Sequence, residues 1–156
     1  MACTYQANEC TEVYLIRHAE KDRSDSLNKN PHLNQDGGKR SLLWNLYFEN
    51  KKIDAIYSTN YNRTIETILP ISISKGIKPR IYSASDVNYD SFLKKQKGKR
   101  VLVVGHSNTI PGFVNGLIEE DYYGQINDTV NSNLYIVKKC PDKINHNVIQ
   151  IHSLQQ

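Results

Sequence analysis

Long hydrophobic runs are missing from this chain. The longest continuous aliphatic stretch in its 156 residues is Val101-Leu102-Val103-Val104. That is strand-sized, far short of the ~18 apolar residues that cross a bilayer as a helix. Mean hydropathy is −0.59, so a transmembrane segment is not expected. Cysteine is scarce. Cys3, Cys10 and Cys140 are too few and too scattered for a disulfide framework or a zinc site. Cys3 and Cys10 could pair in an oxidising compartment; otherwise all three read as incidental thiols. Glycine and proline, at 8 and 5 residues, exclude a collagen-like or low-complexity chain. No leader with a basic start and an apolar centre is present. Excess charge is small too. A net +4 with a pI near 8.9 suits anionic small substrates and is too weak to imply a nucleic-acid partner.

What is there amounts to one domain by length. Residues 1–11 are polar and aperiodic and read as a loose N-terminal arm, leaving 12–156 as a single globular domain. Met1-Ala2-Cys3 followed by a polar stretch also looks like the mature end of an exported lipoprotein. The protein is therefore expected to be soluble, and either cytoplasmic or the mature, lipid-anchored part of an exported protein.

Strands and helices alternate along the chain. Val13–Ile16 reads as a buried strand, followed by a long polar loop from Lys21 to Gly38 that contains Pro31. Asn34 can cap a helix whose stripe is Leu42, Leu43, Leu46 and Tyr47, with Trp44 beside it. Ile53–Tyr57 is a strand. Ile65, Ile68, Leu69 and Ile73 mark a second helix, interrupted by Pro70. Ile77–Tyr82 is a short strand, Val87–Gln96 a weak helix and Val101–Val104 the most buried strand. A helix through Phe113, Val114 and Leu117 and a closing pair of strands, Leu134–Val137 and Val148–Ile151, complete the chain. The alternation predicts an α/β three-layer sandwich, a mostly parallel central sheet with helices on both faces. Ligands of such sheets sit at the carboxyl ends of the strands.

Three predicted strand ends carry an unusual set: Arg17-His18, then Ser58-Thr59 leading to Arg63, then Gly105-His106-Ser107. Two arginines and two histidines on one rim suit a phosphoryl group. Arginine grips phosphate oxygens bidentately and stays charged. A neutral imidazole is a competent nucleophile. Gly105 would permit close backbone approach, and the amides of Ser107 and Asn108 could bind an anion at a helix N-terminus.

Arg17-His18-Ala19-Glu20-Lys21, Ser58 … Arg63-Thr64 … Glu66-Thr67 and Gly105-His106-Ser107-Asn108 together resemble the motifs of the histidine phosphatase superfamily, the phosphoglycerate mutase-like fold, and within it the small bacterial branch with an RHAEK motif. Pro31 … Leu33-Asn34 … Gly37 resembles the family's helix-opening segment. The likeness runs from about Val13 to Val137. It implies a histidine acid phosphatase-type phosphoric monoester hydrolase in which His18 attacks phosphorus and becomes a phosphohistidine. Arg17, Arg63 and His106 would form the phosphate pocket with His18 and Ser107, and neither metal nor cofactor would be needed. The family places a carboxylic acid after the third strand, which points to Asp86 as proton donor. Glu20 is the second candidate, unless it serves to orient Arg63 or His18, and Asp86 would otherwise cap the following helix. His32, His146 and His152 match no motif and read as surface or structural residues.

Only 42 residues separate Arg63 from His106, nearly all consumed by helix, strand and helix, which leaves little material for a lid. An open pocket disfavours a mutase, which must shield its intermediate from water. It suits phosphorylated small molecules or a phosphoprotein, protein phosphohistidine included. A non-catalytic phosphate- or phosphopeptide-binding module of the same fold is the alternative.

Overall fold

The computed structural model describes residues 9–153; Met1 to Cys3 lie outside them. Ten elements follow one another: β1 (Thr11–Arg17), α1 (Gln35–Phe48), β2 (Ala55–Ser58), α2 (Asn62–Lys75), β3 (Arg80–Ile81), α3 (Tyr89–Lys95), β4 (Arg100–Gly105), α4 (Ile110–Ile118), β5 (Asn133–Lys139) and β6 (Ile144–Gln150). The six strands form one sheet in the order β3-β2-β4-β1-β5-β6. The β1–β4, β2–β4 and β2–β3 pairs are parallel, and β5 and β6 add an antiparallel edge. This is the mostly parallel, three-layer α/β architecture expected from the alternation.

The two faces of the sheet follow the period of two along each strand. Val13, Leu15, Tyr57, Val101 and Val103 point to the layer holding α3 and α4, where Phe113, Val114 and Leu117 cover them. Tyr14, Ile16, Ile56, Leu102 and Val104 point to α1 and α2, against Trp44, Phe48, Ile68 and Ile71. Both faces of β1 and β4 are covered, which explains their unbroken apolar runs.

Two helix faces differ from expectation. In α1 the buried positions are Gly37, Ser41, Trp44 and Phe48, while Leu42 and Leu46 are exposed. The larger rings of Trp44 and Phe48 take the core and rotate the leucines outward. In α2 the buried set is Thr64, Thr67, Ile68 and Ile71, with Leu69 and Ile73 exposed. The two threonines turn inward because their hydroxyls are bonded at the site described below. The helix runs continuously through Pro70.

The polar arm ends earlier than expected. Thr11 already belongs to β1 and is buried. Cys10 is joined to Cys140 by a disulfide that spans 130 residues of sequence. The pairing corrects the reading of Cys10 and Cys140 as incidental thiols. β1 and β5 pair Thr11 with Lys139, so each cysteine sits just beyond a strand end and faces the other. That register is invisible in the sequence.

Candidate active site

The carboxyl ends of β1, β2 and β4 open onto a pocket of about 910 Å³. It is lined by Arg17, His18, Thr59, Tyr61, Arg63, His106, Ser107, Asn108, Lys21 and Asp128, among others. The four side chains singled out at strand ends therefore converge, although 88 residues separate His18 from His106.

His18 follows the last residue of β1. Its amide donates to the Gly105 carbonyl at 2.9 Å, and its own carbonyl accepts from Asn131 Nδ2 at 2.8 Å. Its Nδ1 lies 2.7 Å from the Ala19 carbonyl, an acceptor, so the ring proton resides on Nδ1 and Nε2 keeps its lone pair. Burial, followed by the charge of Arg17, lowers its pKa to about 3 against the favourable Ala19 contact. The turn that carries it is fastened to α2: Thr67 Oγ1 accepts from the Ala19 amide at 2.8 Å and donates to the Arg63 carbonyl at 2.6 Å.

His106 follows β4 and stands with its ring 5.4 Å from that of His18, edge to face. Its Nε2 is 2.9 Å from Thr59 Oγ1, which in turn donates to Thr64 Oγ1 at 3.1 Å. Its Nδ1 accepts from Arg63 Nη2 at 3.3 Å. Those partners fix a neutral Nε2–H tautomer. Burial and the charge of Arg63 lower its pKa to about 4. Both rings are thus uncharged near neutrality.

Arg63 lies in the first turn of α2, its guanidinium 4.5 Å from the Tyr61 ring centroid. Its Nε and Nη1 are buried and meet no acceptor in the protein, and Arg17 Nε shares that condition. Desolvation lowers the Arg63 pKa. Buried donors of this kind are rare, because each costs about a hydrogen bond's desolvation; a bound oxyanion would satisfy them. Arg17 is 2% exposed and held by the loop after α4. Its Nη1 donates to the carbonyls of Asn127, Asp128 and Val130, and its Nη2 pairs with Asp128 Oδ1 at 2.9 Å.

Other expected residues stand elsewhere. The Glu20 carboxylate is gripped by Arg40, at 2.9 Å from Nε and 2.8 Å from Nη2; it orients neither Arg63 nor His18. Asp86 is exposed and lines a neighbouring cavity of about 350 Å³ instead of the pocket. It does not cap α3 either, since Asn88 does so through Ser91. Ser107 lines the pocket within the His106–Thr109 turn, three residues ahead of α4. Gly105 is needed for packing rather than for anion approach. A Cβ there would stand 2.8 Å from Tyr82 Oη and 3.0 Å from Ile110 Cδ1.

Asp128 and Tyr61 escaped the sequence reading, and Lys21 and Thr59 stood in its motifs with no role of their own. Asp128 lies 111 residues from Arg17 in a loop of ordinary polar composition, and no local pattern marks it. It is the only carboxyl group lining the pocket among the described residues. Its pKa is lowered first by the hydrogen bond from Arg23, and further by Arg17. The cation Lys21 has no ion-pair partner among the described residues. Among those residues, no group of three His, Cys, Asp or Glu side chains gathers that could hold a metal ion.

The sequence profile described as "Histidine phosphatase superfamily (branch 1)" matches residues 13–84. No curated protein sequence matches the chain. Several solved structures do. A candidate phosphohistidine phosphatase SixA from Agrobacterium tumefaciens is 18% identical, with a TM-score of 0.63 over 88% of this chain and 97% of its own. The protein histidine phosphatase SixA in complex with tungstate is 13% identical, with a TM-score of 0.69 over 89% and 96%. A candidate alpha-ribazole-5'-P phosphatase from Escherichia coli is 12% identical, with a TM-score of 0.74 over 94% and 98%. At these identities the likeness establishes the shared fold.

Proposed function

We propose that the chain is a member of the histidine phosphatase superfamily, whose profile matches residues 13–84, and that it hydrolyses phosphorylated substrates through a covalent phosphohistidine on His18. The observation that carries the reading is the set of three buried guanidinium nitrogens, on Arg17 and Arg63, that lack a protein acceptor beside an imidazole held neutral. The His18 Nε2 lone pair attacks phosphorus. The bond from phosphorus to the leaving group breaks, and the leaving group departs with that electron pair. Arg17 and Arg63 bind the phosphoryl oxygens and stabilise the charge they carry in the transition state, while His106 lines the pocket and holds the Arg63 guanidinium through Nδ1. The Ala19 carbonyl holds the Nδ1 proton and steadies the imidazolium character that develops. Water then attacks phosphorus, the N–P bond breaks, its electrons return to Nε2, and the water's proton leaves to solvent.

The pocket offers no carboxyl group suited to protonating an alkoxide. Asp86 lines the neighbouring cavity and Glu20 is held by Arg40, and Asp128 is kept ionised by two arginines. Leaving groups that depart without a strong acid are therefore favoured. Imidazole, whose conjugate acid titrates near ~6.5, is one. This supports protein phosphohistidine as the substrate class, as does the named activity of the SixA structures. The cation Lys21 at the pocket wall adds attraction for acidic surroundings of the scissile group. The Cys10–Cys140 disulfide supports an oxidising compartment.

Hydrolysis of a phosphohistidine protein, p-nitrophenyl phosphate and a simple alkyl phosphate tests the reading. General acids contribute roughly 100-fold or more. The alkyl ester should trail by at least that factor, and an acid-labile phosphoenzyme should form and disappear in His18→Ala. Alkyl esters cleaved as fast as phosphohistidine would rule out the substrate class. Saturable vanadate binding with no turnover of any of the three would point to a binding module.

A further inference from the structure

The pole of the sheet opposite the pocket gathers the amino ends of the four parallel strands, the carboxyl ends of all four helices and the β5–β6 turn. Exposed cations collect there: Lys52, Lys94, Lys97, Lys99, Arg100 and Lys138. Lys52, Arg100 and Lys138 border one cleft of about 200 Å³ beside Cys10. Three acids among them are matched, Asp54 by Lys52, Glu9 by Lys97 and Glu12 by Arg100, while Glu49 and Asp142, exposed at the same pole, have no ion-pair partner among the described residues. Lys94, Lys99 and Lys138 have no ion-pair partner among the described residues.

Helix ends attract lysine through their dipoles, and Lys75 fills that role by donating to the Glu49 and Lys51 carbonyls. Lys97, Lys99, Arg100 and Lys138 lie in a turn and in strands, so the dipole does not account for them. The acidic run Glu119–Asp121 follows α4 at the same pole. At the other pole the exposed residues are mixed in sign, Asp22, Asp25 and Asp128 standing with Arg23 and Lys29.

We propose that this cationic pole docks peripherally on an anionic lipid surface and holds the pocket toward the solution. The strip is mostly lysine, whose compact point charges match a diffuse headgroup field. Nucleic-acid grooves use arginine forks and stacking rings more. Glu9 and the Cys10–Cys140 disulfide also lie at this pole. The proposal is independent of the reaction at His18.

Cosedimentation of the full chain with vesicles tests it. The protein should bind phosphatidylglycerol-rich vesicles at low salt and neither pure phosphatidylcholine vesicles nor the anionic ones at high salt. Lys94→Glu, Lys97→Glu and Lys99→Glu combined should lower partitioning about a hundredfold or more, with hydrolysis of p-nitrophenyl phosphate unchanged. The corresponding triple glutamine variant guards against misfolding and should lose binding by a smaller factor. Equal binding to neutral vesicles, indifference to the substitutions, or tighter binding to a single-stranded oligonucleotide would each overturn the proposal. Release by soluble glycerophosphate would do so as well, since it would trace binding to a lone phosphate group.

Discussion

Single residues set the protonation state of the site. His18 and His106 titrate at about 3 and about 4, below the ordinary histidine value near ~6.5. The unfolded chain therefore binds more protons than the folded one once the pH drops under that value. The stability associated with the neutral rings is complete above pH ~6.5 and is lost as the pH falls toward the folded values. Wild-type Tm should decline between pH 7 and pH 4, and a His18→Gln, His106→Gln variant should decline less steeply; parallel curves would refute the assignment. Among the described residues the Asn131 side chain hydrogen-bonds the His18 carbonyl alone, so it is a positioning residue. Asn131→Ala should lower kcat roughly ten- to a hundredfold while vanadate affinity stays near wild type; equal losses in both would make Asn131 a binding residue. Asp128 sets a negative charge where a phosphate would arrive, yet Arg17 retains three carbonyl acceptors without it. Asp128→Asn should therefore tighten vanadate binding severalfold, measured by inhibition, and weaker binding would show that the carboxylate is needed to place Arg17.

At the scale of elements, the strands were more legible than the helix faces. Apolar runs such as Val101–Val104 marked β1 and β4 because both their faces are covered. The stripes of α1 and α2 were misphased because buried Ser41, Thr64 and Thr67 look polar in a sequence; Ser41 and Thr64 satisfy their hydroxyls on nearby carbonyls of Gly38 and Thr59, and Thr67 on the distant Ala19 amide. The motif residues Arg17, His18, Arg63 and His106 were legible through their positions at strand ends. Asp128 and the Cys10–Cys140 pair were not, since both depend on how β5 and the loop before it return to β1. That disulfide ties the start of β1 to the end of β5 across 130 residues. Cross-links closing loops of this length stabilise by roughly 2–5 kcal/mol, so Cys140→Ser or reduction should lower Tm by roughly 5–15 °C in calorimetry. An unchanged melting curve would contradict a stabilising role. The start of α1 is equally constrained. A Cβ on Gly37 would lie 2.0 Å from the Glu20 carbonyl oxygen, so Gly37→Ala should destabilise by the upper end of ~1–3 kcal/mol, read from chemical denaturation.

The molecule as a whole separates its tasks by pole and by layer. Two cores, one on each side of the sheet, fix the strand ends, and the strand ends fix the chemistry. Between Arg63 and His106 the chain is spent on the rest of α2, on β3, α3 and β4 and on one short loop after β3, of which Tyr82 to Ser85 form a wall of the pocket. An unroofed mouth admits any small hydroxylic acceptor, because discrimination between acceptors needs walls that exclude the wrong one. In glycerol-rich solution, part of each turnover should thus end as glycerol phosphate instead of inorganic phosphate, and the ratio of the two products would gauge how freely the pocket communicates with its surroundings.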